Sequence, residues 1–125
     1  VEDRAIIGGL TAIHQFCRVG TMAMVGGCSR VIQDVPPYAL CVGGPAVVYN
    51  LNAVGLRRGG MVASQMRHLK EAFRILFYSG LAKSTAIEQI ERDVELIAEV
   101  KHLVAFARAS ERGLCGSVKE PASDA

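Results

Sequence analysis

The stretch VEDRAIIGGLTAIHQFCRVGTMAMVGGCSRVIQ, Val1–Gln33, decides the fold, because an aliphatic side chain returns in it at every sixth position. Val1, Ile7, Ile13, Val19, Val25 and Val31 mark the cycle. Two places before the next aliphatic stands a small residue: Ala5, Thr11, Cys17, Ala23 or Ser29. A helix repeats every 3.6 residues and a half-buried strand every two, so neither produces a period of six. A chain that turns a corner every six residues does, with the aliphatic and small side chains pointing inward. That is the hexapeptide pattern of a parallel β-helix, whose stacked coils bury one continuous column. Three hexads close one triangular coil, which makes Val1–Arg18 one coil and Val19–Pro36 a second. The pattern is already in phase at Val1 with no capping segment before it, while repeat cores need about three or more repeats to close. The expectation is therefore the carboxy-terminal part of something longer, or a truncated copy.

Beyond the hexads the periodicity changes. Pro36-Pro37 is expected to stop the coils, since proline supplies no ladder N–H. Residues 37–60 read as a glycine-rich connector in which Ala46–Tyr49 can form a last strand. Residues 61–113 read as a helical domain. Met66, Leu69, Phe73, Leu76 and Phe77 form one apolar face, with Ser64 as N-cap and Gly80 as C-terminal stop. Thr85 with Glu88 reads as a capping box opening a helix with the face Ile87, Ile90, Val94 and Ile97. A third face is Val100, Leu103, Val104 and Ala107, ending near Gly113. Residues 114–125 are small and polar and are expected to be disordered.

Half of the 125 residues are hydrophobic, enough for a packed core, and 13 glycines suit a scaffold of tight corners. A net charge of +2 gives no reason to expect a nucleic-acid partner. The charge is unevenly spread. Arg57, Arg58, Arg67, Lys70, Arg74 and Lys83 stand against Glu71 alone, and such a basic field steers acidic partners. The four cysteines, Cys17, Cys28, Cys41 and Cys115, form no CxxC pair, so no metal site, redox motif or cofactor is expected. Cys17 falls in an inward slot and reads as packing. No apolar run approaches the roughly 20 residues of a membrane span, and the expectation is a cytoplasmic protein with no integral membrane segment.

Few residues suggest chemistry. Each inward aliphatic is followed by Glu2, Gly8, His14, Gly20, Gly26 or Ile32, so His14 departs from a glycine habit and projects outward. A neutral imidazole there can hydrogen-bond a substrate or serve as a general base; equally, it can pack against a neighbour or another subunit. His68 and His102 read as solvated surface residues. Arg57 and Arg58, between glycines, read as a flexible loop before a helix, and arginine suits bidentate phosphate recognition. Glu2, Asp3 and Asp34 have no obvious partner, so neither a carboxylate pair nor a Ser-His-Asp constellation is expected.

Longer motifs carry a resemblance. Ala5-Ile6-Ile7-Gly8-Gly9-Leu10-Thr11-Ala12-Ile13-His14-Gln15-Phe16-Cys17, Met24-Val25-Gly26-Gly27-Cys28-Ser29 and Gln33-Asp34-Val35-Pro36-Pro37-Tyr38 resemble the UDP-N-acetylglucosamine O-acyltransferases of lipid A synthesis. So do Asn52, Gly55-Leu56-Arg57-Arg58 and Arg112-Gly113-Leu114. The resemblance implies a homotrimer of left-handed parallel β-helices with helical carboxy-terminal domains; the usual crossover rule alone points to the opposite hand. It implies transfer of a 3-hydroxyacyl group from acyl carrier protein to the glucosamine 3-hydroxyl of a UDP-sugar, in grooves between subunits. Within it His14 and Gln15 match residues lining the sugar-nucleotide groove, and Asn52 and Arg58 match residues contacting the uridine diphosphate. Gly27 matches the position that limits acyl-chain length. Arg67, Lys70 and Arg74 match the surface that attracts the acidic carrier protein.

The family's catalytic histidine, in an isoleucine-alanine-histidine-aspartate segment, and its oxyanion-hole glycine have no counterpart here, so no catalytic residue is expected in this chain and the chain alone is expected to be inactive. Val54 and Gly59 replace a common acidic and a common basic residue, and Gly43-Gly44-Pro45-Ala46 departs from the usual asparagine. These changes leave open a hexapeptide transferase with another UDP-sugar acceptor. A non-catalytic trimerisation or carrier-protein-binding module is the alternative of a different class.

Overall fold

The structure is a computed structural model and describes residues 1–117. Its first part is a left-handed parallel β-helix and its second a group of helices. The strands β1 (Ile6–Ile7), β2 (Ala12–Ile13), β3 (Met24–Val25) and β4 (Arg30–Val31) have two residues each, the straight part of a six-residue side. Ile7 lies beside Val25 and Ile13 beside Val31, both parallel, so the second coil covers the first after the expected three hexads. Val19, Val25 and Val31 are fully buried in the column.

The corners have a conformation that the residue types conceal. Arg4, Leu10, Phe16, Met22 and Cys28 all have φ between 54° and 68°, again at every sixth position. None is glycine or asparagine, although each such left-handed residue costs roughly 1–2 kcal/mol. The stacked ladder holds them there: Met22 N–H donates to Asp3 O at 2.9 Å and Cys28 N–H to Gly9 O at 2.9 Å.

The second coil is shorter than expected. Val35, not a residue at position 37, pairs with Val19 and fills the inward slot. The shortened corner turns on Asp34, 1% exposed, whose Oδ1 accepts the Arg18 N–H at 2.7 Å and whose Oδ2 accepts the Ser110 hydroxyl at 2.6 Å. Nor do the prolines stop the stack. They occupy a corner, where a missing N–H breaks no ladder bond, and β5 (Ala39–Gly43) continues the sheet with Leu40 beside Met24 and Cys41 beside Val25. Gly43, at φ 114°, then reverses the chain into β6 (Ala46–Leu51), antiparallel to β5. The connector is thus a third layer closing the coils, and its second strand runs two residues past Tyr49.

The helices are α1 (Ala53–Arg58), α2 (Ala63–Tyr78), α3 (Lys83–Asp93) and α4 (Ala98–Ala109). Met66, Leu69 and Phe73 on α2, Ile87 and Ile90 on α3, and Val100, Leu103, Val104 and Ala107 on α4 are buried. The ends differ from expectation. Val62, not Ser64, precedes α2, and its N–H donates to Gln65 Oε1 at 2.9 Å. Thr85 lies inside α3, whose first residue Lys83 extends Nζ to Ala107 O at 2.9 Å. Val94 and Ile97 are extended, so the anticipated helical face from Ile87 to Ile97 ends after Ile90, and its last two residues lie in the link between α3 and α4. A local bond from Val62 to Gln65 caps the start of α2, and a tertiary contact from Lys83 anchors the start of α3.

The anticipated disorder from residue 114 is overturned for its described part. Leu114 bridges to Asp34 and Ser117 to Val48. The Cys115 N–H donates to Asp34 O at 2.8 Å, and its side chain is 2% exposed. The backbone edge at the shortened corner takes this segment as its partner. Residues 118–125 lie outside the described residues.

Candidate functional site

A cleft of about 560 Å³ lies where α1 crosses the corner column of the coils. Ile6, Met22 and Met24 form its apolar floor, and Asn52, Val54 and Arg58 stand along its α1 side. Gly55 and Gly59 bring the helix close: a Cβ on Gly59 would meet Met22 Cε at 2.6 Å. Asn52, 7% exposed, ties the helix to the corner by donating Nδ2–H to Met22 O at 3.0 Å. Its Oδ1 accepts the Gly55 N–H at 3.3 Å as the N-cap of α1. One amide hydrogen and one oxygen lone pair of Asn52 remain for a ligand. Arg4 completes the rim.

The two arginines expected in a loop are the last turn of α1. Helical geometry separates consecutive side chains by about 100°. Arg58 therefore faces the cleft just described, whereas Arg57 faces a second groove of about 610 Å³ along α2. Arg67, Lys70 and Arg74 line that groove beside the apolar Met61 and Met66. Arg74 is paired with Glu71 of its own helix through both its Nε and Nη2. The guanidinium hydrogen bonds hold the Glu71 carboxyl below its usual range. Arg57 and Arg67 form no ion pair among the described residues.

His14, Gln15 and Gly27 are elsewhere, on the side of the coils that carries β2 and β4. Gly27 stands at the corner entering that side and His14 at the end of it, both exposed. His14 N–H donates to Val31 O at 2.8 Å, which fixes its backbone on the second coil. Its Nδ1 lies 3.2 Å from Gln15 O, a carbonyl that can only accept, so Nδ1 is the donor in this contact and Nε2 has no partner among the described residues. A Cβ on Gly27 would meet Gly9 O at 3.3 Å, a tight contact with backbone that any side chain there would have to push back. Within one chain, then, Asn52 and Arg58 share a cleft, and His14, Gln15 and Gly27 do not line it.

Two of the three carboxylates without obvious partners, Asp34 and Glu2, have them. Glu2 Oε1 accepts from Thr21 N–H at 2.9 Å, Thr21 Oγ1–H at 3.1 Å and His102 Nε2–H at 2.9 Å. Burial alone would raise the Glu2 carboxyl, but the bonds from His102 and Thr21 outweigh it and hold it below its ordinary value. His102, expected to be solvated, is partly exposed but partnered; it joins α4 to the first coil and meets Tyr38 edge-on at 6.1 Å between ring centroids. Burial pushes the Tyr38 hydroxyl up to about 12. His68, also expected to be a solvated surface residue, sits 2.8 Å from Glu95 Oε2. Among the described residues, no group of three or more His, Cys, Asp or Glu side chains is placed to hold a metal, and no helix is long and apolar enough to cross a membrane.

The sequence reading missed Arg4, Met22 and Met24, because nothing local announces which corner a helix 30 residues later will cross.

Known proteins match this arrangement. The family model described as UDP N-acetylglucosamine O-acyltransferase, domain 2, matches residues 34–115. An acyl-(acyl-carrier-protein)–UDP-N-acetylglucosamine O-acyltransferase of Anaeromyxobacter is 41% identical over 91% of this chain and 44% of its own length. One from Myxococcus xanthus is 43% identical over the same shares. A UDP-N-acetylglucosamine acyltransferase structure from Bacteroides fragilis superposes with a TM-score of 0.86 at 38% identity, over 88% of this chain and 43% of that one. The enzyme from Arabidopsis superposes at 0.85 with 36% identity, over 91% and 43%. The chain spans under half the length of the curated relatives it matches.

Proposed function

The chain belongs to the UDP-N-acetylglucosamine O-acyltransferase family, and from that premise we propose that it forms the acceptor-binding part of a lipid A-type acyltransferase. That enzyme moves a 3-hydroxyacyl group from acyl carrier protein to the 3-hydroxyl of UDP-N-acetylglucosamine. The observation that carries the reading is the cleft that brings Asn52 and Arg58 together over an apolar floor. Arg58 supplies a guanidinium for phosphate oxygens. Asn52, held rigid by its two existing hydrogen bonds, offers its remaining donor and acceptor to the nucleotide. Ile6, Met22 and Met24 give a flat apolar ring a place to lie.

In the transfer, the acceptor hydroxyl oxygen attacks the thioester carbon, the C–S bond breaks and the carrier thiol leaves. The hydroxyl proton needs a base, and the thioester oxygen needs a donor. No residue of this chain is assigned to either step, and its residues bind and orient. His14, with Nε2 free, and Gln15 orient the sugar, and Gly27 leaves room for the acyl chain. Because His14 and Arg58 lie apart in one chain, the working site draws them from different subunits of a homotrimer. Leu10 and Phe16, 91% and 79% exposed at corners, are suited to be covered by such a contact. Arg57, Arg67, Lys70 and Arg74 form the docking face for the acidic carrier protein. The setting is cytoplasmic.

The test uses the full-length protein with acyl carrier protein thioesters and UDP-N-acetylglucosamine. Arg58→Ala is expected to weaken UDP-sugar affinity by about 1–3 kcal/mol; unchanged affinity refutes the nucleotide role. Val54, 58% exposed on the cleft where relatives commonly carry an acid, favours a second reading, a different UDP-sugar acceptor. Preference for another UDP-sugar in the same assay would establish it.

A further inference from the structure

We propose that Arg4 is a second phosphate-binding residue of the α1 cleft, which acts with Arg58 to select a nucleoside diphosphate over a monophosphate. The proposal rests on the nucleotide reading above and adds a residue that no local motif marks.

Arg4 holds a corner with φ 58°, directly over Met22, whose φ is 54°, in the next coil. Its side chain is exposed at the rim of the cleft, and Arg58 lines the same cleft from the last turn of α1. No carboxylate lines this cleft among the described residues. Neither guanidinium forms an ion pair with any described residue. Two unpaired guanidinium groups over an apolar floor leave a concentration of positive charge that the protein itself does not neutralise. A ligand with one phosphate can satisfy one of them by a bidentate contact; two linked phosphates can engage both. Glu99 lines a shallow neighbouring cleft on the other side of Arg4, beyond ion-pair distance, and a diphosphate outweighs its single charge. The corner also explains why arginine is placed well there. The backbone is fixed by the Met22 N–H bond to Asp3 O at 2.9 Å, so the side chain starts from a rigid base.

The experiment measures binding of UDP and UMP by calorimetry to the full-length protein, to Arg4→Gln and to Arg58→Gln, with melting temperatures as a folding control. Arg4→Gln is expected to weaken UDP about tenfold, the effect of one charged hydrogen bond. It should weaken UMP by no more than about twofold, and Arg4→Lys should recover part of the loss. In turnover, Arg4→Gln should raise KM for the UDP-sugar and leave kcat within about twofold. If Arg58→Gln weakens UDP but Arg4→Gln weakens neither nucleotide, or both equally, the Arg4 proposal fails and the nucleotide reading stands. If both variants bind UDP as the parent does, both readings fall.

Discussion

The coils and the helices of this protein are held together in different ways, and the contrast shows where substitutions hurt. In the coils, residues have a fixed backbone neighbour one turn away, and at Gly8 and Gly20 space is lacking for a single methyl group. A Cβ on Gly20 would sit 2.3 Å from Pro37 N, and one on Gly8 would sit 2.4 Å from Gly27 N. In the helices, interlocking side chains such as Leu69, Ile75 and Phe106 supply the burial, and glycines such as Gly80 stand in open space. The coils are a stiff lattice that sets the outward positions of His14, Arg4 and Gly27. The helices are an adaptable pack that brings Arg58 to the cleft that Arg4 rims.

The sharpest way to break this contrast is Gly20→Ala against Gly80→Ala. The first pushes a methyl into backbone and is expected to cost about 3 kcal/mol or more in urea unfolding. The second meets no atom but sits at φ 78° and should cost roughly 1–2 kcal/mol. Equal losses would show that the coils relax as freely as the helices. Next in size, Leu69→Ala, fully buried on α2, should cost about 2–5 kcal/mol through lost burial and a cavity. A loss well below that range would mean that the helices collapse around the gap. Ser110→Ala should cost roughly 1–3 kcal/mol, because Asp34 Oδ2 would be left buried without its 2.6 Å donor. That variant probes the seam where coil and helical region meet.

The smallest effect is expected at the other seam. Glu2→Gln should cost under about 1 kcal/mol, because the Glu2–His102 pair is partly exposed. Its pH dependence is the more telling readout. The folded carboxyl lies below its ordinary value, so its contribution is present above an unfolded pKa of about 4.3 and is lost as pH falls through the folded one. The difference between parent and Glu2→Gln should therefore hold steady above pH about 5 and shrink in more acidic solution. A difference that grows on acidification would contradict the hydrogen-bonded carboxylate.

What was legible in the sequence follows the same division. The column was readable because inward slots admit only aliphatic or small side chains, so Val19, Val25 and Val31 announce themselves. The corners were not, because Leu10, Phe16 and Met22 are ordinary residues held in a left-handed conformation by the ladder and not by their own preference. The two residues missing from the second coil left no local trace either; Val35 and Pro37 are both acceptable to a pattern that asks only for an apolar residue. The apolar helix faces were readable, and so was the stop of α2 at Gly80, φ 78°; the starts were not, since Val62 is capped through the Gln65 side chain and Lys83 reaches Ala107 on another helix. At the candidate site, Asn52 and Arg58 were found through a motif. Arg4 and the Glu2–His102 pair were not, the latter because its partners are 100 residues apart.

The central claim is that the cleft between α1 and the corner column holds the nucleotide. A crystal structure of the full-length protein with UDP-N-acetylglucosamine tests it most directly. The account predicts the diphosphate within hydrogen-bond reach, about 3 Å, of the Arg58 guanidinium, with the uracil over Met22 and Met24. A nucleotide seated on another face, with Arg58 still pointing into solvent, would contradict it.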